Sequence, residues 1–149
     1  MSRVDQDLAI DVWQFVRLMV ELEARARARR AGAAYRAWRE AWQELDRRLA
    51  ELGTSDPAAY AELMMGQQVM LETPSPAELA DAISALDAVI AQLAESIARG
   101  KVGARRLADL RFERDELAAL KTRLARRPAG KAGQRPSRAR RSAGRGGGE

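Results

Sequence analysis

Apolar residues recur at helical spacing through residues 8–124, and the pattern predicts about five helices. In the first, from about Asp5, the polar residues Asp11, Gln14, Arg17 and Glu21 form one narrow stripe. Leu8, Ile10, Val12, Trp13, Phe15, Val16, Leu18, Met19, Val20 and Leu22 cover most of the remaining circumference. A helix that is apolar on most sides is buried on most sides. It serves either as the central helix of one chain's core or as a subunit interface. Val12, Phe15, Val16, Met19 and Leu22 are the candidate interface residues. A membrane-surface role is a weaker alternative, because the polar face lacks basic character.

Residues 24–34 alternate alanine with Arg25, Arg27, Arg29 and Arg30, and Gly32 falls near the end, where a bend or break is expected. Tyr35, Trp38, Trp42, Leu45, Leu49 and Leu52 then follow at alternating spacings of 3 and 4, a heptad seam of the coiled-coil type. Gly53 is expected to end this helix. Thr54 or Ser55 is the expected cap of the next, with Asp56 and Pro57 in its first turn. Tyr60, Leu63, Met64, Val69, Met70 and Leu71 line that third, shorter helix. Ser75, Pro76 and Glu78 form a capping box with proline at the first helical position. The fourth helix carries Leu79, Ile83, Leu86, Ile90, Leu93 and Ile97, and the fifth Leu107, Leu110, Leu117, Leu120 and Leu124. Gly100 and Gly103 frame a short turn, so these two helices are expected to form an antiparallel hairpin. No sustained period-two alternation is evident.

This periodicity predicts an all-α protein: a helical bundle or an elongated helical-hairpin assembly. The expected body is 1–127, divided into a first segment 1–53, a second helix group 54–73 and a helical hairpin 75–127. Residues 128–149 alternate Gly, Pro, Ser, Ala and Arg with no large apolar side chain, a composition that cannot offset its ordering entropy. They are expected to be a disordered basic tail.

Charge sharpens this division. Residues 50–98 hold eight carboxylates and no lysine or arginine. Residues 99–127 hold ten basic groups against Asp109, Glu113, Asp115 and Glu116. The body as a whole is balanced, and the tail's six basic groups against Glu149 account for the net charge of +5. Flexible arginine-rich ends bind polyanions through phosphate contacts and counterion release. Lys131, Arg135, Arg138, Arg140, Arg141 and Arg145 are therefore the candidate nucleic-acid-binding residues, acting without base specificity. The preference for arginine over lysine says little by itself, since a GC-rich genome yields the same bias. Should the acidic fourth helix fail to face the basic fifth, Arg105, Arg106, Arg111 and Arg114 become a competing cationic strip.

Candidate catalytic chemistry is sparse. The chain has no cysteine and no histidine, which removes thiolate sites, disulfides and the usual general base. The segment 98–103 lacks the glycine spacing and hydroxyl of a phosphate loop. Carboxylate pairs such as Glu78 with Asp81, and Glu113 with Glu116, read as solvated helix faces. Trp13, Tyr35, Trp38 and Trp42 read as core residues before stacking platforms. No enzyme, metal site or cofactor is expected. The sequence points to an oligomeric, cytoplasmic interaction or scaffolding protein, expected to form a homo-oligomer through its seams. The alternatives are a protein-partner module, such as an export chaperone or virion structural component with an incidental tail, and a granule- or membrane-surface protein using the first helix.

Overall fold

Among the described residues five helices carry the fold, as the periodicity predicts. The computed structural model describes residues 7–29, 32–127 and 138–141, the last as backbone only. Strand β1 (Leu8–Asp11) leads into α1 (Val12–Ala28), followed by α2 (Ala33–Ser55), α3 (Pro57–Gly66), β2 (Gln68–Glu72), α4 (Pro76–Arg99), α5 (Ala104–Arg126) and β3 (Arg138–Arg141). The body is all-α in class, with one small antiparallel sheet in the order β1-β2-β3.

The strands revise two helical expectations, and a helix boundary shifts as well. The chain enters α1 only at Val12, because Leu8–Asp11 pairs with β2, Leu8 opposite Leu71 and Ile10 opposite Val69. Val69, Met70 and Leu71 belong to β2 and not to α3. In β2, Val69 and Leu71 are buried while Gln68, Met70 and Glu72 are half-buried, the alternation of a strand. Helix α2 runs two residues past Gly53 to Ser55, and Asp56 caps α3 by accepting the Ala59 N–H at 3.1 Å. Of the tail, Arg138–Arg141 is described as β3; the remaining residues of 128–149 lie outside the described ones, and the expected disorder falls there.

The chain breaks between α1 and α2, as the glycine suggests. Gly32 is the N-cap of α2 in extended conformation. The two helices approach closely there: a Cβ on Gly32 would stand 2.6 Å from Asp81 Oδ2 and would displace that carboxylate. That carboxylate accepts the Ala34 N–H at 3.1 Å, so α4 caps α2 from a distance. At the start of α4, Ser75 and Glu78 form the expected reciprocal box, with Glu78 N–H to Ser75 Oγ at 3.2 Å and Ser75 N–H to Glu78 Oε1 at 3.0 Å. Gly100 ends α4 at φ 63°, the left-handed turn that reverses the chain into α5.

One core unites the layers. Phe15, Leu18 and Met19 of α1 meet Trp38 and Trp42 of α2, Leu86 of α4 and Leu117 and Leu120 of α5, with Ile10, Val69 and Leu71 closing it from the sheet. Gln14, also buried, accepts the Asp11 N–H at 3.2 Å and donates to the Glu116 carbonyl at 3.2 Å. Its amide thus ties α1 to α5.

Candidate functional site

The sheet places part of the basic tail on the body. Strand β3 pairs antiparallel with the outer edge of β2, Arg138 opposite Glu72, Arg140 opposite Met70 and Arg141 opposite Val69, and it runs beside α2. Three of the six candidate nucleic-acid-binding residues therefore sit in one four-residue strand. Lys131, Arg135 and Arg145 lie outside the described residues.

The sheet's opposite edge is also basic. Arg123 donates to the Ala9 carbonyl of β1 at 2.8 Å. Burial and the neighbouring Arg123 lower the Arg127 pKa from the ordinary arginine range, and Asp7 opposes them. Asp7 itself accepts from the Thr73 N–H at 2.9 Å, which holds Thr73 at φ 46° between β2 and α4.

The competing strip on α5 is only partly neutralised. Helices α4 and α5 pack as the expected hairpin, and Lys121 joins Asp87 across it at 2.5 Å. Arg106 reaches Glu113 at 3.7 Å, and Arg114 meets Asp115 at 3.0 Å. Glu113 also accepts Arg17 of α1. Arg105 and Arg111 are exposed and make no ion pair among the described residues. The acidic residues of α4 turn largely to other tasks: Glu78 to its capping box, Asp81 to α2, Glu95 to Arg99. The paired carboxylates of Glu78 and Asp81 are thus structural.

The candidate interface stripe of α1 packs inside this chain. Val12, Phe15, Met19 and Leu22 are buried within this one chain, and Val16 is half-buried. The apolar face of α1 is covered by α2, α4 and the sheet, which makes it the core helix of the two readings. The seam from Trp38 to Leu49 is likewise filled by the chain's own helices. Trp38 is fully buried, Trp42 and Trp13 nearly so, so these rings pack and do not offer faces to bases. Phe112 is half-exposed on α5 and lies tilted against Trp13, with ring centroids 6.1 Å apart.

A feature the sequence did not reveal is an open groove of about 640 Å³ between α1, α2 and α3. Val16, Val20 and Glu23 form its first wall, a residue stripe along α1. Trp42, Asp46, Leu49 and Gly53 form the second along α2, and Tyr60 and Met64 of α3 close one side. Val20, on the α1 wall, is 53% exposed. Each stripe has a period near a helical turn, but the sequence does not say which stripes face one another.

Compared with known protein families, curated proteins and solved structures, the chain gives no match. Among the described residues, no helix is long and apolar enough to cross a membrane.

Proposed function

We propose that the protein is a non-enzymatic interaction or scaffolding protein whose arginine-rich tail binds polyanions, nucleic acid foremost, without reading base sequence. The observation that supports this is the segregation of charge. The tail holds six basic groups against Glu149, while the body's lysines and arginines are matched in number by its carboxylates. Many of the body's cations are engaged internally, through Arg17, Arg25, Arg47, Arg99, Arg106, Arg114 and Lys121. A charge-balanced body attached to a cationic segment concentrates phosphate contacts in that segment. Contacts from arginine to phosphate oxygens give affinity rather than sequence discrimination.

The test is a salt titration of duplex DNA and RNA binding by fluorescence anisotropy. If about five tail cations reach phosphates, log affinity falls against log salt with a slope of roughly −4 to −5. Replacing Arg138, Arg140 and Arg141 with glutamine in the full chain should flatten that slope by about 2 to 3, one contact per residue. An unchanged slope would take these three arginines out of the site and leave Lys131, Arg135 and Arg145, or the α5 cluster of Arg105, Arg106, Arg111 and Arg114, as the contacts. Absence of binding at low salt would leave the protein-partner reading in its place.

A further inference from the structure

We infer that the groove between α1, α2 and α3 is a docking site for a basic amphipathic helix of a partner protein, separate from the tail and independent of what the tail binds. Three observations define the occupant. The first is shape. Along α2 the lining runs from Trp42 to Thr54, a stripe about 18 Å long at a rise of about 1.5 Å per residue, which matches roughly three turns of a guest helix. The second is surface. Val16, Val20, Tyr60 and Met64 offer apolar contact along that length, over a floor formed by the buried Trp42 and Leu49, and such grooves take the apolar face of a helix at i, i+3, i+4 and i+7. The volume of about 640 Å³ admits several anchoring side chains and not a whole helix, as expected for a guest laid along the surface.

The third observation is charge. Among the described residues, the charged side chains lining the groove are Glu23 and Asp46, on opposite walls, and no lysine or arginine lines it. Asp46 is exposed and has no ion pair among the described residues. Glu23 meets Arg27 at 3.5 Å, but that arginine side chain is 78% exposed. An exposed pair of this kind contributes little, so a guest cation can replace it without much loss. Carboxylates on both rims favour a guest whose apolar stripe is flanked by lysine or arginine, and disfavour an acidic one.

Gly53 provides a clean probe. It lies on the groove wall within α2, and a Cβ there would meet only the Tyr60 ring, at 3.8 Å, an ordinary contact. Gly53→Met therefore fills the groove without intruding on the core, and it removes a glycine from a helix, which favours folding. The experiment measures binding of a labelled 14-residue leucine–lysine amphipathic peptide to the full chain near physiological salt. A leucine–glutamine peptide of the same pattern serves as the charge control. The basic peptide should bind, and Gly53→Met and the double variant Glu23→Lys/Asp46→Lys should each weaken it by about tenfold or more. The neutral peptide should bind more weakly than the basic one and lose less on rim reversal. Circular dichroism melting of each variant shows whether the fold is kept; a Gly53→Met chain that melts as high as the parent and binds the basic peptide equally well overturns the site. Equal affinity for the two peptides overturns the basic partner.

Discussion

Asp81 and Gly32 illustrate how one side chain fixes the relation of two helices. The carboxylate of Asp81 satisfies the Ala34 N–H at the start of α2, an orphan donor that α2's own N-cap, a glycine, cannot serve. Asp81→Ala should cost about 1 kcal/mol in chemical denaturation, the ordinary loss of a helix cap. Gly32→Ala should cost at least as much, since its Cβ would fall 2.6 Å from the same carboxylate oxygen. If both act through one contact, Gly32→Ala should cost much less in the Asp81→Ala background, and a double-mutant cycle measures that difference. The capping box of Ser75 and Glu78 could be read from the sequence because its partners are three residues apart. The cap by Asp81 could not, because its partner lies 47 residues away and only packing brings them together.

At the level of elements, long periodic helices were legible and short strands were not. The seam from Trp38 to Leu49 and the hairpin of α4 and α5 each repeat their pattern for several turns, which leaves one interpretation. The strands are four or five residues long, and Val69-Met70-Leu71 is as apolar as a helix end. Their alternation emerges only when burial is seen. The pairing also has a parity that can be tested. The Val12 N–H donates to the Gln67 carbonyl at 3.0 Å, and the β1–β2 register carries that bond to the alternate pairs Ile10–Val69 and Leu8–Leu71. Gln68, Met70 and Glu72 therefore point their backbone groups toward β3, where Arg140 is opposite Met70. Arg140→Pro removes a ladder donor and should abolish hydrogen-exchange protection of the Met70 amide. Ala139→Pro, whose N–H faces away from β2, should leave it largely protected. Loss of protection in both variants, or in neither, would show a different register.

Taken as a whole, the molecule buries in one copy the face of α1 that the sequence left open between core and interface. Phe15→Ala should lower stability by about 3 to 5 kcal/mol, as a truncation in a packed core does. The same variant should leave the sedimenting mass of the folded protein unchanged; a shift to a smaller mass would restore the interface reading. The division of charge between body and tail was plain from residue order, because it needs no knowledge of packing. The groove was not, because it depends on how three helices are set against one another. The sheet draws these scales together, since β1 from the start of the described chain and β3 from its end both rest on β2. If the tail binds a polyanion as proposed, tail release and ligand capture are reciprocal equilibria. A polyanion that prefers the free tail to the docked one loosens β3 from β2 by the same factor by which docking weakens its own binding. The outer edge of β2 would thus be uncovered in proportion to ligand bound, so exchange of the Met70 amide would serve as a meter of what the tail holds.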